Sequence, residues 1–258
     1  MRAYPFVVTA AVVTAATPVQ AGLLVEETFT YTTAANAGPT TLHGKAGGTG
    51  FAGAWTSNLG SVVDGEYQVG GNNFDAATRK LASAITGDVY FGFDFRFLGH
   101  LDVNDFASLW FDDGTSTGDH TAVPNVGLKA QRGNGAGEED AFIRLSGVGG
   151  TFHPTRLVEG ETYRIVGKLS KVAAKDNPGL AYYNAMQLWV DPAAEADFSV
   201  GTVGAKPKLA SISRIGIRTA NLDVNRWTKA RDSVAFDNLK IGDSFGDVSH
   251  GFTAAAVP

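Results

Sequence analysis

The sequence contains no cysteine. Disulfides are excluded, so the fold has to be held by core area or by a bound metal. Charge is sparse: 18% of residues are Asp, Glu, Lys or Arg, and the net charge is −5. That balance lacks the basic footprint of a nucleic-acid-binding protein. Helical patterns are nearly absent. There are no heptads, no repeat of 20–50 residues, no charge block and no Pro- or Ser-rich linker. Reactive signatures are missing too. No G-x-S-x-G occurs, which argues against a nucleophile elbow. The five histidines, His43, His100, His120, His153 and His250, form neither H-x-x-x-H nor H-E-x-x-H, so no zinc site is expected.

What is present points to an exported β-protein. Hydrophobic residues make up 44% of the 258 residues, enough for a sizeable core. The 32 glycines exceed the usual share of roughly 7% and are spread along the chain, as many tight turns require. At the start, Arg2 precedes an apolar stretch from Phe6 to Ala16, and Val19-Gln20-Ala21 offers a small-residue cleavage site before Gly22. This is the layout of a secretory signal peptide over residues 1–21. The stretch falls short of the about 20 residues of a spanning helix, so no transmembrane segment is expected in the mature chain. The expected localisation is secreted or cell-surface.

From Leu23 onward, short alternating runs are separated by Gly, Asn and Asp. Between Asp88 and Gly99, Val89, Phe91, Phe93, Phe95 and Phe97 share one parity, while Tyr90, Gly92, Asp94, Arg96 and Leu98 share the other. A period of two puts four Phe rings on one face of a strand. Phe106–Phe111, Asn125–Gln131, Ala141–Leu145, Glu161–Lys171, Met186–Val190, Ser211–Thr219 and Ser233–Ile241 read as further strands. Ala76–Ile85 suits a helix or an edge strand, and Pro192–Phe198 a single helical turn. Many short strands with turns between them predict an all-β, two-sheet antiparallel sandwich over residues 22–249. Residues 250–258 read as a frayed tail.

Three segments carry a resemblance. Leu23–Tyr31 has the pattern apolar-Glu-x-Phe-x-Tyr, Gly47–Trp55 is a Gly-rich turn followed by Trp, and Ala235–Gly242 reads as a closing strand followed by a small cap at Ser244–Val248. In this order they resemble the concanavalin A-like or laminin G-like jelly rolls of bacterial exported proteins that often end in a PEP-CTERM sorting signal. The resemblance implies a jelly roll, a glycan or extracellular polysaccharide as partner, and a structural Ca²⁺ between the first and last strands, with Glu27 and Asp237 as ligands. Asp237 shares parity with Leu239 and Ile241, so a regular strand points it at the core; a β-bulge would turn it outward. Ca²⁺ takes six to eight oxygens, so backbone carbonyls near Gly48–Gly50 and waters would complete the shell.

Among Trp55, Trp110, Trp189 and Trp227, Trp189 is the expected sugar-stacking residue. Its parity opposes that of Met186, Leu188 and Val190, and Tyr182 and Tyr183 are near in sequence. The acidic runs Asp112–His120 and Glu138–Asp140 read as solvated loops. Polysaccharide-active enzymes of the resembled fold carry Glu-x-Asp-x-x-Glu, Arg-Glu-Leu-Arg or Gln-Ile-His, and none of these occurs. The expected function is a non-catalytic module that binds carbohydrate. The alternatives are a polysaccharide hydrolase or lyase and a passive matrix or surface-layer component.

Overall fold

Apolar–polar alternation becomes strand throughout the residues described by the computed structural model, which are 22–31, 39–115, 122–130, 139–147, 149–222 and 232–250. The expected leader, the tail after His250, and Trp227, Glu138, Gln131 and His120 lie outside them. In chain order the strands are β1 (Leu23–Glu27), β2 (Thr40–Thr41), β3 (Phe51–Ser57), β4 (Ser61–Val63), β5 (Glu66–Ile85), β6 (Val89–Leu98), β7 (Phe106–Asp112) and β8 (Asn125–Ala130). They continue with β9 (Glu139–Arg144), β10 (Thr151–Leu157), β11 (Tyr163–Ala174), β12 (Asn177–Val190), β13 (Val200–Val203), β14 (Ile212–Leu222) and β15 (Ser233–Gly242). One short helix, α1 (Phe245–Ser249), follows.

All pairings are antiparallel, and they build two sheets. Sheet I runs β4–β5–β15–β6–β11–β12–β13. The second half of β15 also pairs with β1, so the first and last strands lie side by side. Sheet II runs β3–β5–β14–β7–β8–β9–β10. Strand β5 serves both sheets: Tyr67–Gly70 pair with β15, and residues from Gly71 onward pair with β14. The crossing falls on Gly70-Gly71. A Cβ on Gly70 would lie 2.5 Å from the Asp232 carbonyl oxygen, and Gly71 has φ +77°. Neither position accepts an ordinary side chain without strain.

The two sheets press face to face, and the chain is an all-β, two-sheet antiparallel jelly-roll sandwich. Phe91, Phe93, Phe95 and Phe97 all face the core, as their shared parity requires. They meet Leu109, Phe111, Ile215 and Ile217 of sheet II, with the Phe91 and Phe111 ring centroids 4.7 Å apart. Burying each such side chain contributes about 1.5–3 kcal/mol.

Some elements depart from the expected pattern. Ala76–Ile85 is strand, the second half of β5. Pro192–Phe198 forms no helix; the Asp197 carboxylate accepts from the backbone N–H groups of Ala193 and Ala194 and closes a turn. The cap after β15 is helical. Ser244 and Asp247 form a reciprocal capping box, and Phe245 and Val248 are its buried residues.

Candidate functional site

The two expected calcium ligands fall on opposite sides of sheet I. Glu27 is 1% exposed and turned inward. Its Oε1 accepts from the Phe29 N–H at 2.9 Å, and its Oε2 accepts from Tyr31 Oη (2.7 Å), Trp55 Nε1 (2.8 Å) and Arg79 Nη1 (2.7 Å). Three protein donors saturate Oε2, and Oε1 already accepts one.

Asp237 corrects the parity expectation. Asn238 adopts φ +45°, and the β15–β6 register shifts between Asp237 and Lys240. This bulge turns Asp237 to the outer face, directly opposite Asp94. There Asp237 accepts from its neighbour Asn238, while Asp94 accepts from Arg164 Nη1 (3.0 Å) and Asn238 Nδ2 (2.7 Å). The residues present do not fit the expected calcium site. No group of three or more His, Asp or Glu among the described residues is placed to hold a metal ion.

Burial first, then the charges of Asp94 and Glu66, push the Asp237 carboxyl from 3.8 up to about 7, against the opposing pull of the Asn238 N–H and Arg164. Arg96, paired with Glu66, also lies on this face. A carboxyl whose folded-state pKa is raised binds its proton more tightly in the native state. Its contribution is therefore most favourable below 3.8 and is lost as pH rises through about 7. Asp237→Asn is expected to raise the urea midpoint at pH 8 and to leave it nearly unchanged at pH 4. A lower midpoint at pH 8 would show that the charge itself is needed.

The expected sugar-stacking group is not assembled. Trp189 does lie on the outer face of sheet I, as its parity requires, but it is 2% exposed. It is covered by α1, with the Phe245 ring centroid 5.6 Å away. Tyr183 turns the other way into the core, and its hydroxyl donates to the carbonyls of Ile85 and Gly87. Tyr182 is half-buried. Trp55 is spent on Glu27.

Trp110 stands elsewhere, on the outer face of sheet II, where it is fully buried together with Ser108, Asn125 and Phe142. Read across the strands, Gly216, Trp110, Asn125 and Arg144 form one row; Arg218, Ser108, Gly127 and Phe142 form the next. A third row holds Ala220, Phe106, Lys129 and Asp140. The alternate residues Leu109, Val126, Ile143 and Ile217 point into the core. The indole of Trp110 occupies the space above Gly216, where a Cβ would come within 2.0 Å of the ring. Arg214 lies 5.3 Å from the Trp110 ring centroid and donates twice to Asp112, at 3.0 and 2.6 Å. Asp112 is thus a buried ion-pair partner, whereas Asp113 faces solvent and caps its own turn through Thr115. Glu139 and Asp140 are strand residues and buried, which corrects the solvated-loop expectation at these two positions.

This face carries unmet hydrogen-bonding capacity. The Arg144 guanidinium sits 5.1 Å from the Phe142 centroid and 5.4 Å from the Phe106 centroid, and is 3% exposed. It has no carboxylate partner among the described residues, and its Nε bonds to nothing. Burial, with Arg218 repelling it, brings its pKa down to about 10. Ser108 Oγ and Trp110 Nε1 are likewise buried without a partner. Each unmade bond costs about 1–3 kcal/mol. The sequence showed the strand Ala141–Leu145 but not this role. The available signal was the shared parity of Asp140, Phe142 and Arg144, opposite the core residue Ile143.

At the β9 end of the sandwich, a cavity of about 510 Å³ lies between the β9–β10 turn and the segment after β13. Arg144, Ser146, Thr151, Thr202 and Lys206 are among its lining residues, and no Asp or Glu is.

No protein-family model and no curated protein matches the sequence. Solved structures do match in chain path. The alginate lyase Aly36B is 13% identical, with 83% of this chain and 98% of that one covered at a TM-score of 0.45. A β-1,3-glucanase from Mycobacterium marinum is 10% identical, with 85% and 98% covered at 0.48. Peanut lectin bound to a nine-residue peptide is 11% identical, with 74% and 90% covered at 0.48. Among the described residues, no helix is long and apolar enough to cross a membrane.

Proposed function

We propose that the protein is an exported, non-catalytic glycan-binding module whose ligand engages the cavity between the β9–β10 turn and the segment after β13. The observation that carries this reading is the lining of that cavity of about 510 Å³, where the hydroxyls of Ser146, Thr151 and Thr202 and the exposed Lys206 adjoin apolar Ile143, Leu145 and Val203. A sugar offers apolar C–H faces and a rim of hydroxyls, and such a lining answers both. The volume falls in the range of about 300–1,000 Å³ typical of small-molecule sites. The non-catalytic part of the reading is supported by the acids. Asp112 is committed to Arg214, and Glu139 and Asp140, as neighbours on one strand, point to opposite faces.

The test is a glycan array followed by titration calorimetry with the hits. Binding without reducing-sugar release or unsaturated products from the same glycans is expected. Silence across plant, algal, bacterial and animal glycans would remove the reading, and turnover of any hit would replace it with an enzyme.

A further inference from the structure

We propose that β13 is a docking edge for a second copy of this chain, which pairs through the same strand and continues sheet I across a two-fold axis. The inference stands apart from the glycan reading. Strand β13 closes one end of sheet I and pairs only with β12. The Gly204 N–H donates to the Asn184 carbonyl at 2.9 Å, and the register sets Thr202 opposite Met186 and Val200 opposite Leu188. Hydrogen-bonded pairs alternate along an antiparallel ladder, so Val200, Thr202 and Gly204 bond to β12. Gly201 and Val203 therefore turn their N–H and C=O groups away from the sheet. Both residues are exposed, Val203 at 73%.

This edge lacks the protection that others carry. Sheet II ends on β3 and β10; both pairings are interrupted by a register shift, and β10 also holds Pro154 and Arg156. Bulges, proline and charge are the usual means of blocking an edge. The pairing of β13 with β12 is regular, and no charged residue lies between Asp197 and Lys206. Phe198 and Val203 are the two most exposed large apolar side chains among the described residues.

The edge is also complementary to itself. A two-fold axis through Thr202 sets Gly201 of each copy opposite Val203 of the other, so every outward N–H and C=O of these residues finds a partner. Gly201 leaves room for the facing valine. Its own chain does not require glycine there: an added Cβ would meet only ordinary contacts at 3.5 Å or more, and its φ is not left-handed. Glycine inside a strand often marks close approach of another backbone. The same rotation brings Asp197 of one copy beside Lys206 of the other, opposite charges at both ends of the contact, and both residues are exposed. Each copy spends its β13 edge once, so the assembly closes as a dimer. A strand of 4 residues buries less than a permanent interface needs, so the dimer has roughly micromolar affinity.

Sedimentation velocity of the whole protein from about 1 to 300 µM tests this. The mass is expected to double across that range. Hydrogen exchange is expected to show the Gly201 and Val203 amides protected at high concentration and open at low. Gly201→Lys, at an exposed position, is expected to keep the melting temperature and to raise the dissociation constant ten-fold or more. Val203→Lys is expected to do the same, and Lys206→Glu to weaken the dimer several-fold. A protein that stays monomeric throughout, association that runs on past the dimer, or a dimer that Gly201→Lys and Val203→Lys leave intact overturns the inference.

Discussion

Arg79→Met is expected to lower the stability of the protein by about 3–5 kcal/mol, the cost of breaking a buried ion pair from one side. Arg79 lies on the sheet II half of β5, and Glu27 ends β1 in sheet I, so this pair ties the two layers together. The guanidinium also donates to the Gly53 carbonyl and stacks 4.0 Å from the Phe51 centroid. Methionine keeps part of the apolar contact but leaves the Glu27 carboxylate buried with only neutral donors. Against a total stability of roughly 5–15 kcal/mol, the loss is large. Urea unfolding followed by Trp fluorescence measures it. The double variant Glu27→Gln/Arg79→Met removes both charges and is expected to lose less than the sum of the single changes. A loss below about 1 kcal/mol for the single variant would show that the pair is not sealed from water.

Arg164→Ala is expected to have an effect of similar size on the other face of sheet I. Arg164 Nε and Nη2 donate to the Val248 carbonyl in α1, while Nη1 donates to Asp94 and to the Asn238 carbonyl. One side chain therefore fastens the helix, the β15 bulge and a buried carboxylate. Removing it leaves Asp94 facing Asp237 without a cation between them, a cross-strand pair of like charges. A loss of about 3–5 kcal/mol is expected, since a buried partner is again stranded. Because α1 covers Tyr90 and Trp189, loosening it should shift Trp emission to the red before global unfolding. An unshifted spectrum with normal stability would mean that Phe245 and Val248 hold the helix by packing alone.

Those two clusters show where sequence reading stops. The alternation of Val89–Phe97 set the strand, its inward face and the sandwich class, because a period of two is local and every residue votes on it. For Asp237 the same rule left two placements, inward on a regular strand or outward at a bulge; the structure takes the second, because the left-handed residue Asn238 shifts the parity. Trp189 was correctly turned away from the core, but whether that face is open depends on α1, an element that packs back from the far end of β15. Glu27 was expected to ligate calcium beside Asp237. In the structure its carboxylate accepts from an arginine 52 positions away, from two aromatic donors and from the Phe29 N–H, on the opposite side of sheet I from Asp237. Arg144 could not be recognised as unpaired from sequence, since lacking a partner is a property of the assembled face.

The side-by-side placement of β1 and β15 has a consequence for how the chain acquires its shape. Leu23–Glu27 pair with the segment Leu239–Gly242, so the strand made first waits for the strand made last. Contacts so distant along the chain carry a large loop-closure cost and form slowly. Until β15 arrives, β1 has an open edge and Glu27 lacks the neighbouring strand that holds it in place. Closure of this edge of the sandwich is therefore delayed until β15 has been made.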